Sequence, residues 1–322
     1  MKTFLILWLN LFIFFNAFSN TPKYKVGLLV MATNRYIKFV PPLIESAEKF
    51  FCKNHDVTYF IFTDDKTFKH DKAVSTFQEH LNWPFSTMMR YHTYLKNKDA
   101  FRNMDYLFAT DADMLFVDTV GDEILSDSVA TLHPGYYGWK KHKQPLPYET
   151  NSISTAYINP GNNNYYFAGG FYGGTTQEML KLLQTNVNNV NIDMEKNHIA
   201  VWHDESHNNK YFNTNQPTKI LNSDYCFPED ATKPELKSSY ELILNLKPKL
   251  VALARRATKE EIDLTNVINL NTLEDAHLAI EKNSLPTNAL VSSKSASVIA
   301  YLLNNGFEMV QNGDTVILKR RS

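Results

Sequence analysis

Apolar and polar positions alternate along the chain in blocks that are typical of buried strands and amphipathic helices. A continuous apolar run, as in a strand buried on both faces, occurs at 25–33 (KVGLLVMAT), and strand-like stretches with an apolar centre occur at 56–65 (DVTYFIFTDD) and 104–114 (MDYLFATDADM). Apolar residues at helical spacing separate them, in PPLIESAEKFF at 41–51 and STMMRYHTYLKN at 86–97. Strands that alternate with helices predict an α/β fold, with a mostly parallel sheet flanked by helices.

The first 19 residues form a separate apolar segment. Lys2 precedes a largely apolar run from Phe4 to Phe18, and Ala17 and Ser19 place small residues where a signal peptidase cleaves. The run is shorter than the roughly 20 residues that a membrane-spanning helix needs. The sequence therefore predicts a signal peptide over 1–19 and a secreted or exported protein, in a periplasm or lumen. A short membrane anchor, and hence membrane association, is the alternative.

Acidic residues follow two of the predicted strands where those strands end. Asp64 and Asp65 close the second strand, and Asp111 and Asp113 close the third. In parallel sheets ligands bind beyond the carboxyl ends of the strands. Alternate residues of an extended chain point the same way, and two hard oxygen ligands suit a divalent cation that also binds water and substrate phosphates. Asp111 and Asp113 therefore form a candidate metal site, with a solvated turn as the alternative.

Charge and cysteine content exclude some classes of function. The 322 residues include 33 basic and 34 acidic side chains, for a net charge of −1, and the basic residues are scattered. A nucleic-acid partner is therefore not expected. Cys52 and Cys226 form neither a disulfide framework nor a zinc-ligand pattern, so both are expected to be free and partly buried.

A second group of chemically active residues lies in AVWHDESHNNKYF, at 200–212. His203 and His207 are four residues apart, as in zinc peptidases, but Asp204 stands where those enzymes carry a glutamate. Glu205 would point away from the histidine pair on a helix. A zinc hydrolase is therefore disfavoured, and the start of an amphipathic helix with capping acids is the plainer interpretation.

Several stretches, in order along the chain, resemble glycosyltransferase family 6, which includes the histo-blood-group A and B transferases, the α-1,3-galactosyltransferase and bacterial relatives. The resemblance extends from about Lys25 to Arg256, and its most specific element is the string WHDESH at 202–207. The other matching stretches are TDADMLFVDTVG (110–121), TLHPGYYG (131–138), YET and STAYI (within 148–158), YYFAGGFYGGT (165–175) and PTKILNSDYC (217–226).

The resemblance implies a GT-A-type fold and a retaining hexosyltransferase. Its donor would be UDP-N-acetylgalactosamine or UDP-galactose, and the sugar would pass in α-1,3 linkage to a galactose-terminated glycan. A divalent cation, normally manganese in this family, would be held by Asp111 and Asp113. A non-catalytic, metal-dependent sugar-binding protein is the alternative, although the metal motif and Glu205 are both intact.

The resemblance also assigns roles to single residues. Glu205 matches the candidate nucleophile below the anomeric carbon, and it would also contact the acceptor. Whether it attacks or only stabilises positive charge stays open. His133 and Trp202 match acceptor contacts. The positions that match donor-binding residues, beside the two metal ligands, are Tyr36, Arg90, Ala168, Gly169, Gly170, Asp204 and Arg255.

Departures from the family pattern bear on substrate choice. Gly135 and Gly170 match the A-type pattern, which leaves room for an acetamido group and favours N-acetylgalactosamine, whereas Ala168 matches neither type. Near uracil, Met31 and Thr33 replace the residues of the animal enzymes. At 224–230 the string DYCFPED replaces the family's acidic acceptor contact, which leaves the acceptor open.

The domain boundaries follow from these matches. The catalytic domain is expected over 20–257, and Arg255 belongs to a short basic tail that would fold over the diphosphate. The remaining residues, 258–322, contain apolar stretches that predict a small α/β appendage of unknown role.

Overall fold

A computed structural model describes residues 23–138, 145–159, 165–233 and 240–254, together with the backbone of four later strands. The predicted signal peptide, Arg255 and most of the appendage lie outside the described residues. Export of the protein and its division at 257 therefore stay predictions.

The described strands and helices are numbered along the chain. The strands before residue 255 are β1 (Lys25–Met31), β2 (Asp56–Thr63), β3 (Ala73–Phe77), β4 (Tyr106–Asp111), β5 (Met114–Phe116), β6 (Ser128–Leu132), β7 (Phe167–Thr175), β8 (Lys219–Leu221), β9 (Phe227–Pro228) and β10 (Leu250–Ala252). The later strands are β11 (Val267–Asn269), β12 (Asn288–Ser292), β13 (Phe307–Gln311) and β14 (Thr315–Arg320). The α-helices are α1 (Val40–Phe50), α2 (Phe85–Met88), α3 (Arg90–Lys96), α4 (Thr176–Glu195) and α5 (His203–Thr214).

A mixed sheet organises the molecule. Seven strands of the described residues follow the order β3–β2–β1–β4–β7–β6–β8. The pairs β1–β2, β2–β3, β1–β4 and β6–β8 are parallel, which confirms the prediction of a mostly parallel α/β sheet consistent with a GT-A-like fold. Strand β7 runs antiparallel to both of its neighbours. Because Thr110 pairs with Phe171, the first residues of β7 lie at the edge where β4 ends.

Two smaller sheets accompany the main one. Strands β5, β10 and β9 form a three-stranded sheet beyond the end of β4. Of the appendage, the described backbone forms a four-stranded sheet in the order β11–β12–β14–β13.

Both faces of the main sheet are buried, which explains the unbroken apolar runs of its central strands. Leu28 and Phe108 belong to a core cluster on the side of α1, together with Ile44 of that helix. Leu29 belongs to a second cluster on the opposite side, where Leu183 of α4 is also buried. Neighbouring residues of β1 thus enter different cores, as strand alternation requires.

The helix predicted over 86–97 is two short helices. The chain leaves α-helical geometry at Met89, where φ is −85° and ψ is 6°, and α3 begins at Arg90. The break lets α2 pack on α5 while α3 packs on α4. Sequence spacing did not reveal it, because apolar residues continue at helical intervals through the break.

The two cysteines are free, as expected, and both are buried, whereas the sequence suggested partial burial. None of the helices in the described part of the chain combines the length and apolarity required to cross a bilayer.

We expect Gly173→Ala to destabilise the fold, because a Cβ atom on this residue of β7 would lie 2.3 Å from the backbone oxygen of Leu107 on β4. Overpacking of this kind costs about 1–3 kcal/mol. The control is Gly169→Ala in the same strand, where the nearest atom would be 3.5 Å away. Chemical denaturation should show a clear loss of stability for the first variant only, and equal stabilities would contradict the steric argument.

Candidate functional site

The candidate site lies where β4 ends. Asp111 is the last residue of β4 and pairs in register with Met31, the last residue of β1. The Asp111 side chain is 24% exposed. Asp113 follows in the turn to β5 and is buried. The sequence prediction that acidic residues gather at a carboxyl strand edge is therefore confirmed for Asp111.

The acids that follow β2 serve local structure. Asp64 accepts a hydrogen bond from the backbone N–H of Asn34 at 2.7 Å, which ties the end of β2 to the chain that leaves β1. Asp65 accepts hydrogen bonds from the backbone N–H and the hydroxyl of Thr67. Asp65 therefore closes its own turn.

A buried guanidinium connects the end of β4 to α5. Nη1 of Arg90 lies 2.9 Å from Oδ1 of Asp111, and its Nε lies 3.0 Å from Oδ2 of Asp204. Burial by itself would lower the pKa of Arg90, but Asp204 and Asp111 outweigh burial and raise it. The side chain is therefore cationic at any physiological pH, and it fixes the separation of two predicted site residues.

Asp204 is held on two sides. It is buried, and burial raises the pKa of its carboxyl, against which Arg90 acts. Its backbone oxygen accepts a hydrogen bond of 2.7 Å from the hydroxyl of Tyr91 on α3. The first turn of α5 is thus fastened to α3 through both a side chain and the backbone.

Glu205 receives one hydrogen bond on each carboxylate oxygen. The Tyr166 hydroxyl donates to Oε1 at 2.7 Å, and the backbone N–H of Gly169 donates to Oε2 at 2.8 Å. Burial raises the pKa of Glu205 to about 7, although both hydrogen bonds favour the charged form and oppose the rise. The carboxylate is thus fixed in direction and changes charge near neutral pH.

Strand β7 departs from regular pairing beside Glu205. Phe167 of β7 lies opposite Leu132 of β6, and Tyr172 of β7 lies opposite Ala130 of β6. More residues lie between these two pairs on β7 than on β6, so this part of β7 forms an irregular bulge. Bulges commonly occur next to active sites, where they redirect side chains and backbone groups. Here the bulge contains Gly169, whose N–H points to Glu205.

The two glycines of the bulge face different neighbours. A Cβ atom on Gly169 would lie 3.5 Å from Oε2 of Glu205, whereas one on Gly170 would lie 3.1 Å from Sγ of Cys226 and 3.7 Å from Oδ2 of Asp111. Cys226 therefore packs against the space that Gly170 leaves. Ala168 is buried among the core residues on the side of α1.

His133 joins this group through aromatic contacts. Its ring centroid lies 5.5 Å from that of Tyr166, the residue bonded to Glu205. Its Nδ1 accepts a hydrogen bond from the N–H of Gly135 at 3.1 Å. Burial lowers the pKa of His133 to about 4, so the imidazole is neutral at pH 7 and has Nε2 as its N–H donor. A Cβ atom on Gly135 would lie 3.3 Å from this ring.

Of the two residues before Asp204, Trp202 is exposed and His203 is partly buried. Trp202 is 46% exposed, which leaves its indole accessible beside Asp204. His203 packs edge-on against Trp83, with ring centroids 4.6 Å apart. Burial lowers the pKa of His203 to about 4.

The second histidine of the WHDESH string faces another part of the molecule. His207 is fully buried, and its Nε2 lies 3.8 Å from Oδ2 of Asp193 on α4. Burial lowers its pKa to about 4. Within the residues described, no group of three or more His, Cys, Asp and Glu side chains is arranged to hold a metal ion.

Tyr36 lies at the same sheet edge, in the short 3₁₀ segment Asn34–Phe39 that follows β1. The guanidinium of Arg35 lies 5.8 Å from the centre of its ring. A small depression lies nearby, and residues that line it include Met31, Thr33 and Met89.

Sequence reasoning missed two residues of the site, Tyr166 and Cys226. Tyr166 stands among other aromatic residues in YYFAGG, and nothing in that pattern marks the ring that reaches Glu205. Cys226 was assigned only as a free, partly buried residue. Both contacts depend on the antiparallel placement of β7, which the sequence pattern did not predict.

Comparisons with known proteins find several relatives of this chain. The chain is similar to human globoside alpha-1,3-N-acetylgalactosaminyltransferase 1, at 32% identity over 219 residues, which cover 65% of this chain and 62% of the relative. It is also similar to rat histo-blood group ABO system transferase 1, at 34% identity over 214 residues, with coverages of 63% and 61%. A third relative is mouse glycosyltransferase 6 domain-containing protein 1, at 32% identity over 212 residues, with coverages of 62% and 67%.

The matched region spans about three-fifths of the length of the human and rat relatives. The family model described as Glycosyltransferase family 6 matches residues 12–249, which include every described residue of the candidate site. The chain belongs to glycosyltransferase family 6.

Proposed function

We propose that the protein is a retaining glycosyltransferase that moves N-acetylgalactosamine or galactose from a UDP carrier, in α-1,3 linkage, to a galactose-terminated glycan. The observation that carries the proposal is the fixed Glu205 carboxylate, held by Tyr166 and Gly169 beside the ion-paired group of Asp204, Arg90 and Asp111. The names of two relatives, a globoside N-acetylgalactosaminyltransferase and a blood-group transferase, support the substrate class.

The donor diphosphate would bind at the end of β4. Asp111 and Asp113 offer hard carboxylate oxygens, which suit Mn²⁺ or a similar divalent cation that also takes phosphate oxygens and water. When bound, such an ion supplies positive charge against the charge that develops on the diphosphate leaving group. Arg90 orients Asp111 through their 2.9 Å contact, and it would add a fixed positive charge near the diphosphate leaving group. Tyr36 would stack on the uracil.

Asp204 and Glu205 would act on the transferred sugar. Asp204, held by Arg90, would accept hydrogen bonds from sugar hydroxyls. Glu205 would face the anomeric carbon, where the bond to the diphosphate breaks and positive charge develops. Retention requires either a covalent glycosyl–Glu205 intermediate and two inversions, or attack by the acceptor hydroxyl on the leaving-group face. In both routes the negative charge of Glu205 stabilises the transition state more than the ground state.

The acceptor would bind on the side of His133 and Trp202. The exposed indole of Trp202 provides an apolar face for a galactose ring. His133 is neutral at pH 7, and its Nε2–H would donate a hydrogen bond to an acceptor hydroxyl. Glu229 accepts a hydrogen bond from the backbone N–H of Ala254 at 2.8 Å, so its structural role is to fasten the chain beside β10.

Chelation and Asp113→Asn test the metal assignment. Asp113→Asn removes one charged ligand and leaves the ion pair between Asp111 and Arg90 in place. Asp111→Asn would remove a ligand and also break that ion pair. We expect Asp113→Asn and excess chelator each to abolish transfer without lowering the thermal midpoint by more than a few degrees. The control is Asp118→Asn, because the Asp118 carboxylate pairs with Lys247, away from the metal motif. This variant should transfer sugar at the normal rate. Full activity in excess chelator would contradict the assignment.

Donor choice should favour N-acetylgalactosamine over galactose, because Gly135 and Gly170 match the family's A-type pattern. Gly170→Ala should lower this preference, but its methyl group would also press on Cys226 at 3.1 Å. Gly170→Ala combined with Cys226→Ala separates the two effects, since the second change relieves the contact with sulfur. Steady-state transfer from both UDP sugars measures the ratio. A tenfold preference of the unmodified protein for galactose, about 1.4 kcal/mol in the transition state, would exclude this proposal.

Glu205→Gln keeps the shape of the side chain and removes its charge. We expect transfer to fall by at least about a hundredfold, roughly 2.7 kcal/mol, with little change in donor binding, because the charge acts mainly in the transition state. In the unmodified protein, kcat/KM should fall as the pH drops below about 7, where the Glu205 carboxylate becomes protonated. The Gln variant should lack this dependence.

Tyr166→Phe tests the direction in which the pKa of Glu205 moves when a hydrogen bond to its carboxylate is removed. The Tyr166 hydroxyl stabilises the charged form of Glu205, so its removal raises the pKa of the carboxyl. The acidic limb of the pH–rate profile should therefore move to higher pH. If the acidic limb stays in place in Tyr166→Phe, or persists in Glu205→Gln, then it reports the titration of a group other than Glu205.

A further inference from the structure

The backbone immediately before the two acids of α5 is strained. His203 has a φ of 50°, in the left-handed region that side chains other than glycine seldom adopt. Such a conformation persists where the surrounding structure forces it, and it often occurs at functional sites. Any relaxation at His203 would rotate the chain that carries Asp204 and Glu205.

Hydrogen bonds hold three successive residues of this turn. The N–H of His203 donates to the backbone oxygen of Ala200 at 2.9 Å, and the N–H of Trp202 donates to the hydroxyl of Ser206 at 2.9 Å. Both of these contacts lie within the turn and the first helical residues. The N–H of Val201 instead donates, at 2.8 Å, to Oε2 of Glu149, a residue 52 positions earlier in the chain.

Glu149 is itself buried and held. It is 5% exposed, and its Oε1 accepts a hydrogen bond of 2.7 Å from the N–H of Asn151. Its backbone oxygen accepts a hydrogen bond from Ile158, and His198 Nε2 lies 3.4 Å from its Oε2. The carboxylate therefore contacts both its own segment and the loop that precedes α5.

The segment that carries Glu149 is anchored to α4. Asp193, which is 2% exposed, accepts hydrogen bonds from the hydroxyl of Ser154 at 2.5 Å and from the N–H of Thr155 at 2.7 Å. Asp193 thus connects α4 to the 145–159 segment, and Glu149 connects that segment to the strained turn.

We propose that Glu149 is a positioning residue for Glu205. By holding the N–H of Val201 it keeps His203 in its left-handed conformation, and this conformation sets the direction in which the Glu205 carboxylate meets Tyr166 and Gly169. The same contact places Trp202 at the acceptor side. This role rests on the proposed function, since its consequence is the geometry of transfer.

The first test compares Glu149→Ala with Glu149→Gln in the full-length protein. Glu149→Ala should lower kcat at least about tenfold and raise the acceptor KM, with the donor KM unchanged. Glu149→Gln should recover to within about threefold, because its amide oxygen also accepts from Val201. Asp105→Ala is the control, since Asp105 accepts a hydrogen bond from the N–H of Lys25 at the opposite edge of the sheet. Normal kinetic constants for Glu149→Ala would overturn the proposal.

The second test combines the changes in a double-mutant cycle. If Glu149 acts through Glu205, Glu149→Ala should lower kcat far less in a Glu205→Gln background than in the unmodified protein. An equal factor in both backgrounds would mean that Glu149 acts independently of Glu205, and the proposal would be wrong.

Hydrogen–deuterium exchange separates this proposal from the proposed function, because it needs no substrate. Glu149→Ala should speed exchange of the amides at 200–205 and leave those at the start of β1 unchanged, and Asp105→Ala should do the reverse. Unchanged protection at 200–205 overturns the positioning role even if the protein transfers sugar. Faster exchange there, in a protein that transfers no sugar from UDP donors, would support the turn's dependence on Glu149 and refute the proposed function.

Discussion

The burial of one guanidinium between two carboxylates is the interaction on which the rest of the site depends. Arg90 starts α3, Asp111 ends β4 and Asp204 lies in the first turn of α5, so the ion pairs join three elements from distant parts of the sequence. Removing one partner of such a buried group leaves an uncompensated charge, which typically costs about 3–5 kcal/mol. The separation between the end of β4 and the start of α5 is therefore fixed by strong, directional contacts.

Much of the sheet could be predicted from the sequence, because strands buried on both faces give unbroken apolar runs. This signal located β1, β2 and β4 and placed Asp111 at a carboxyl end. It did not reveal that β7 is antiparallel, since strand direction depends on partners that apolar spacing does not encode. It also missed the break at Met89, because the break changes the direction of a helix without interrupting its apolar face.

The candidate site was predicted less completely than the sheet. Asp111 and Asp113 followed from the strand pattern, whereas Arg90, Asp204 and Glu205 could be assigned only through family resemblance. The partners that orient these side chains lie far along the chain: Tyr166 is 39 residues from Glu205, and Glu149 is 52 residues from Val201. Such pairings arise from the bulge in β7 and from irregular loops, for which no periodic signal exists.

The state of the two cysteines has a consequence for the redox conditions in which the folded chain can persist. Burial raises the pKa of both Cys52 and Cys226, so at neutral pH each remains a protonated thiol enclosed by the core. Thiol–disulfide exchange requires an accessible thiolate. Once folded, the protein therefore offers no cysteine to glutathione, to oxidants or to disulfide isomerases, and its native contacts include no bond that a reductant would cleave. The same fold can persist in a reducing cytosol and in an oxidising compartment.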